Sequence, residues 1–174
     1  MIKNAQVPIL GFAAPSGTGK TTLLTQLIPL LKQQGIRVGL IKHSHHNFQI
    51  DKPGKDSFRL REAGATPVML VSSHRRAIIT EFSEPKEPDL NEQLQYFDQS
   101  ALDLILVEGF KRESFPKIEL HRPSLGHDLL HPNDDSIIAF ATDQNLTLEK
   151  DLPCLDLNNI SSMAEFVSEF MKNA

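Results

Sequence analysis

Ala14-Pro15-Ser16-Gly17-Thr18-Gly19-Lys20-Thr21 is the stretch on which the fold of this chain turns. An apolar run from Val7 to Ala13 leads into it and predicts a buried strand. Behind it, Leu23, Leu24, Leu27, Ile28, Leu30 and Leu31 are spaced to give one broad apolar face, predicting a helix from about Gly19 to Gln34. Strand, glycine turn and helix in that order are the context in which this pattern cradles phosphate groups. Successive backbone N–H groups from Gly17 to Thr21 can point into one concavity, because glycine permits the required φ values. The helix N-terminus adds its partial positive charge. Lys20 then supplies a point charge for the β- and γ-phosphates, and the Thr21 hydroxyl a ligand for Mg²⁺. Ser16, Gly17, Thr18, Gly19, Lys20, Thr21 and Thr22 are the candidate nucleotide-binding residues, with Lys20 also a catalytic candidate. One position departs from the usual pattern: Ala14 stands where the first glycine is common.

Outward from this loop, apolar runs alternate with amphipathic stretches, the signature of a largely parallel α/β sheet. Strands are expected at Ile36 to Ile41, Leu102 to Val107, Lys117 to Leu120 and Ile137 to Ala141. Thr66 to Val71 and Ala77 to Phe82, joined tightly around His74, Arg75 and Arg76, read as an antiparallel hairpin. Short helices are expected near Lys55 to Ala63 and Leu90 to Phe97. A closing helix is expected from about Met163 to Lys172, with Ser162 and Glu165 at capping-box spacing. Gly35 is placed to end the first helix, while Pro29 removes a hydrogen bond to the Thr25 carbonyl and predicts a kink or break. The expected fold is α/β, of the P-loop NTPase type: a mostly parallel sheet flanked by helices, with an antiparallel hairpin extension, in one domain over residues 1–174.

The candidate partners of the phosphate loop are carboxylates. Leu102-Asp103-Leu104-Ile105-Leu106-Val107-Glu108-Gly109 is a buried strand that delivers Glu108 at its C-terminal end, where open α/β sheets bind ligands. Glu108 is a candidate for the metal's water shell and for orienting an attacking water; Asp103 lies at the wrong end of the strand. Asp56, in Asp51-Lys52-Pro53-Gly54-Lys55-Asp56-Ser57, either holds Mg²⁺ with Thr21 and Glu108 or caps the next helix. Asp143 ends the strand in Ala139-Phe140-Ala141-Thr142-Asp143. It either accepts two hydrogen bonds from the N1–H and N2–H₂ of guanine or is a turn residue. His43, His45 and His46 cluster without a nearby cysteine, which favours a solvated or phosphate-facing loop over a transition-metal site.

The bulk composition narrows the class. At 174 residues the chain can bury a sizeable core, and 40% hydrophobic with 23% charged residues is ordinary for a soluble protein. A formal net charge of -4 argues against a nucleic-acid surface. No apolar run approaches the ~18 residues of a membrane span. One cysteine excludes an intramolecular disulfide and fits a reducing, cytoplasmic compartment.

With these residues in hand, the chain resembles the molybdopterin-guanine dinucleotide biosynthesis protein B family. The resemblance is carried by A-x-S-G-T-G-K-T-T-L at 14 to 23, G-L-I-K-H-x-H-H at 39 to 46, D-K-P-G-K-D-S at 51 to 57, R-x-A-G-A at 61 to 65 and L-D-L-I-L-V-E-G-F-K at 102 to 111. It continues to I-A-x-A-T-D, ending at Asp143. What it implies is a homodimeric accessory protein that binds GTP with Mg²⁺, a weak GTPase at most. Its implied partner is the guanylyltransferase that joins GMP to molybdopterin, making the guanine dinucleotide form of molybdenum cofactor; molybdopterin itself is a further candidate partner. No catalytic glutamine is evident, although Arg59, Arg61, Arg75, Arg76 and Arg112 could contribute after dimerisation. Pro15 stands where several dimeric P-loop relatives carry a second lysine. Two other readings share the P-loop: a small-molecule kinase, with the Arg112 to His131 stretch as its lid, and a nickel-delivery GTPase using the histidines.

Overall fold

The apolar runs become strands and the stretch after the glycine turn becomes a helix, in the order β1 (Ile9–Ala13), α1 (Lys20–Gln33), β2 (Val38–Lys42), α2 (Asp56–Glu62), β3 (Val68–Val71), β4 (Arg76–Ile79), α3 (Leu90–Gln93), β5 (Leu104–Glu108), β6 (Lys117–His121), β7 (Ile137–Thr142), β8 (Cys154–Asp156) and α4 (Ile160–Asn173). The computed structural model describes residues 2–44, 47–148 and 150–174. They form two compact units, Met1–His43 with Asp89–Ala174, and Ser44–Pro88.

The first unit holds a six-stranded sheet in the order β2-β5-β1-β6-β7-β8, with every pairing parallel. Side chains of a strand alternate between faces, and both faces are covered. Leu10 and Phe12 of β1, Leu104 and Leu106 of β5, and Ile118 and Leu120 of β6 join Leu23, Leu24, Leu27 and Leu31 of α1 and Met163, Ala164 and Val167 of α4 in one core. Ile9, Ile105 and Val107 pack on the opposite face with Leu90, Leu94, Phe110 and Phe115. Because β1 lies between β5 and β6, the chain leaves it toward one half of the sheet and later returns to build the other. The residues following β1 therefore sit at the switch point where such sheets bind ligands.

Local details correct several expectations. The first helix runs unbroken through Pro29; Thr25 and Pro29 are both exposed, so water reaches the carbonyl that loses its bond. The helix ends in a Schellman turn. Gly35 N–H donates to Lys32 O at 3.0 Å and Ile36 N–H to Leu31 O at 3.0 Å, with Gly35 at φ 84°. That turn uses up Ile36, which is why β2 starts only at Val38. The last helix starts earlier than Met163, and its cap is Asn159, whose side chain accepts from Ser162 N–H at 3.1 Å. Ser162 and Glu165 form no capping box, because Ser162 is already inside the helix. The segment at Leu90 is helical only to Gln93 and then tightens into a 3₁₀ turn over Leu94–Tyr96. The short edge strand β8 is not evident in the sequence; its three residues carry no apolar run.

The second unit contains α2 and the antiparallel β3–β4 pair, with Val68 opposite Ile79 and Met69 opposite Ile78. Arg61 of α2 bonds Glu81 and lies over the Phe58 ring at 5.0 Å. No helix among the described residues is long and apolar enough to cross a membrane.

Candidate functional site

The loop from Ala14 to Thr21 is shaped by its two glycines. Gly17 and Gly19 have φ of 83° and 104°, and a Cβ at Gly17 would meet nothing within 4 Å, so the loop opens into free space. The Thr18 hydroxyl donates to Pro15 O at 3.0 Å and closes the turn from within. Gly19 is the N-cap of α1 and offers no side chain to its first turn. The N–H groups of that turn are left for an anion, as a phosphate cradle requires.

Lys20 bends back so that its ammonium donates to Ala14 O and Pro15 O, both at 2.9 Å. Its pKa is lowered, first by burial and then by Lys111 nearby; Glu108 works in the other direction and Lys42 adds to the lowering. Lys20, Lys42, Lys111 and Glu108 thus share one electrostatic neighbourhood, with three cations to one carboxylate, which suits a polyanionic ligand. Ser16, Thr21 and Thr22 are exposed around the same loop.

Glu108 ends β5 as expected, in register with Phe12 of β1 on one side and Lys42 of β2 on the other. Its carboxylate pairs with the Lys42 ammonium at 3.0 Å. The chain then turns sharply. Gly109 has φ 101°, and a Cβ there would come within 2.7 Å of the His43 Cβ, so only glycine fits. His43 N–H donates to Glu108 O at 2.8 Å, and its ring lies 4.9 Å from Phe110. Oxygen donors from Thr21 and Glu108 are of the hard type that Mg²⁺ takes.

Asp56 belongs to the second unit and is not the cap of α2: it is the first helical residue, behind Lys55. Its negative charge there complements the helix dipole. In the same loop Asp51 accepts from Ser57 Oγ at 3.0 Å. Asp103 is a surface charge, gripped by Arg37 through two side-chain hydrogen bonds of 2.9 and 2.7 Å and one from the Arg37 backbone N–H at 2.8 Å. His45 and His46 lie outside the described residues. Among the described residues no three His, Cys, Asp or Glu side chains gather as a metal site. The lid expected over Arg112 to His131 does not exist as such, since its middle is β6, buried within the sheet.

Asp143 follows β7 directly, and the structure joins it to the phosphate loop through Arg122, a residue that the sequence reading passes over. The Arg122 guanidinium donates to Asp143 Oδ2 at 2.5 Å and to the Thr18 carbonyl at 3.1 Å. Lys117 and Glu119 are also missed. Lys117 is fully buried and donates to Lys111 O at 3.2 Å and Glu113 O at 2.6 Å, while pairing with Asp134 at 2.8 Å. It thereby holds the loop that carries Lys111. Burial raises the Asp134 pKa, but the hydrogen bonds from Lys117 and Ser136 outweigh it and the net direction is down. Glu119 accepts from the backbone of Leu130 and His131 and from the His131 ring. The signal was available: Lys117-Ile118-Glu119-Leu120-His121 alternates polar and apolar residues within a sheet covered on both faces, where such charges need partners.

A parallel sheet with a glycine-bounded phosphate loop at its switch point defines a protein of the P-loop NTPase fold. Within that class, the family described as molybdopterin guanine dinucleotide synthesis protein B matches residues 9–143, and the chain belongs to it. It is 48% identical over 176 residues to the molybdopterin-guanine dinucleotide biosynthesis adapter protein of Escherichia coli (strain K12), covering 99% of this chain and 98% of that one. It is also 48% identical to the protein of the same description from Haemophilus influenzae, covering 97% and 92%. A crystal structure of molybdopterin-guanine biosynthesis protein B resembles it with a TM-score of 0.71 at 25% identity, over 93% of this chain and 99% of that one. Bacillus subtilis MobB shares the fold, with a TM-score of 0.73 at 21% identity, over 96% and 99%.

Proposed function

We infer that this chain is an accessory protein in the synthesis of molybdopterin-guanine dinucleotide cofactor, acting beside the guanylyltransferase that attaches GMP to molybdopterin. The adapter proteins of E. coli and H. influenzae, alike along nearly their whole length, support that role. Its ligand in this reading is GTP with Mg²⁺, and the observation that carries it is the phosphate loop. Two glycines at positive φ, an uncapped helix N-terminus and Lys20 at the rim form a cradle for a triphosphate. Residues Ser16 to Thr22 hold the phosphates, and Thr21 and Glu108 hold the metal. Mg²⁺ held there would neutralise phosphate charge. Asp143 reads guanine. The working unit is a homodimer, for which the exposed apolar residues Met69, Val71 and Ile78 offer burial.

Hydrolysis is slow in this reading. Glu108 is engaged by Lys42, and the middle of the Arg112 to His131 stretch is the buried strand β6, not a lid. Calorimetric titration with Mg·GTP and Mg·ATP in parallel is the test. GTP binds more tightly than ATP with little turnover, and Lys20→Ala weakens both at least tenfold while leaving the fold intact. Unchanged affinity in Lys20→Ala overturns the phosphate assignment; a preference for ATP overturns the guanine reading.

A further inference from the structure

Arg122 is the first residue after β6, at the ligand-binding end of the sheet, and it is bonded on two sides. Its Nε donates to the Thr18 carbonyl inside the phosphate loop, and its Nη1 to Asp143 Oδ2 beyond the next strand. A Cβ added at Gly19 would lie 3.9 Å from both Nε and Nη2, so the guanidinium sits beside the loop where Thr18 leads into Gly19. One planar cation therefore bonds both the loop, at Thr18, and the carboxylate after β7. The other oxygen of that carboxylate, Asp143 Oδ1, is covered from solvent and accepts no hydrogen bond among the described residues.

We propose that Arg122 is a positioning residue for base selection, fixing Asp143 relative to the phosphate loop so that one carboxylate is presented to the purine. This rests on the reading of Asp143 as the guanine-recognising residue. A carboxylate has two lone pairs on each oxygen. Arg122 occupies one of these on Oδ2, and because Oδ1 is covered, the remaining lone pair of Oδ2 is the acceptor left for the N1–H and N2–H₂ edge of guanine. Adenine presents an acceptor at N1, which a carboxylate repels, and has no matching pair of adjacent donors. The bond to Thr18 sets the distance between phosphates and base, because the same side chain anchors to the loop that holds the phosphates. Arginine suits the task through its fixed fork of donors, which lysine lacks.

Affinity for Mg·GTP, Mg·ATP and inorganic tripolyphosphate with Mg²⁺, measured for the wild type, Arg122→Ala, Arg122→Lys, Asp143→Ala and the double variant Arg122→Ala with Asp143→Ala, tests this. Arg122→Ala lowers the GTP-to-ATP affinity ratio about tenfold and changes tripolyphosphate affinity less than threefold. Arg122→Lys recovers part of the ratio, since an ammonium can keep one of the two bonds. The double variant loses no more selectivity than Asp143→Ala alone, because the two residues act as one device. An equal loss of GTP, ATP and tripolyphosphate affinity in Arg122→Ala overturns the proposal and makes Arg122 a phosphate or scaffold residue. A changed ratio in Asp143→Ala with an unchanged one in both Arg122 variants overturns the positioning role alone. An unchanged ratio in Asp143→Ala overturns the guanine reading and this proposal with it. Should Arg122→Ala fail to fold, the Arg122→Lys ratio decides.

Discussion

In β1, β5 and β6 every residue is buried, whereas in β3 and β4 burial alternates residue by residue. Both regions are rich in Val, Ile and Leu, so composition does not separate them. What separates them is the number of faces covered. The central sheet lies between α1 and α4 on one side and the Leu90–Phe115 cluster on the other. In the hairpin, Val68, Leu70, Ala77 and Ile79 are half-buried, while Met69, Val71 and Ile78 are exposed by 56%, 69% and 54%. A two-stranded pair is marginal by itself in water, and the hairpin leaves apolar surface exposed where β1, β5 and β6 leave none.

Substitutions should fall hard on the sheet unit and lightly on the hairpin. Leu27 of α1 is wholly buried, and Leu27→Ala is expected to destabilise by about 3 kcal/mol through lost burial and the cavity left behind. Ile78→Ala removes a half-exposed side chain and is expected to cost at most about 0.5 kcal/mol. Urea unfolding of the two variants measures both. Equal losses would mean that the hairpin face is covered as well as the core is.

A smaller effect on stability but a distinct one on association is expected from the pair that faces solvent across the hairpin. Met69 and Ile78 are direct partners in the register. Replacing them together, Met69→Lys with Ile78→Glu, keeps an attractive cross-strand pair and removes the apolar face. If a second copy covers that face, light scattering finds the wild type dimeric and the double variant monomeric at the same concentration. A variant that stays dimeric places the contact elsewhere.

The same distinction explains what was legible in the sequence. Continuous apolar runs such as Leu104-Ile105-Leu106-Val107 announce strands covered on both faces. The glycine-lysine loop is local enough that its residues lie next to each other in sequence and in space. Arg122, Lys117 and Glu119 were not read, because their roles depend on partners far along the chain: Thr18 and Asp143 for Arg122, Asp134 for Lys117, His131 for Glu119. A charged residue in a strand announces that it needs a partner, and only the fold says which one. Pro29 is the opposite case. The local rule expects a kink or a break, and the break does not occur because solvent at Thr25 makes the lost bond tolerable. Ser162 and Glu165 show that spacing alone does not place a cap, since Asn159 three residues earlier takes that position.

The smallest expected effect comes from the rim of the sheet, where charge is exposed as the hairpin's apolar side chains are. Asp103 precedes β5 and Arg37 precedes β2, so their ion pair ties two neighbouring strands at the end away from the phosphate loop. Hydrogen bonds from the Arg37 side chain and backbone hold the Asp103 pKa down, from 3.8 to about 2. A carboxylate whose pKa is depressed by folding contributes stability that is fully present above its unfolded value. That stability is lost as the pH falls through the folded value. The wild type should therefore lead Asp103→Asn at neutral pH, and the gap should narrow from pH 3.8 downward and close near pH 2. Because both partners are solvated, the gap at neutral pH is small and shrinks further in 1 M salt, where screening acts over roughly 3 Å. Urea midpoints for the two proteins across that pH range read it directly. A gap that persists unchanged at acid pH would mean that Asp103 acts through its hydrogen bond to the Arg37 backbone as a neutral acid also could, and not through its charge.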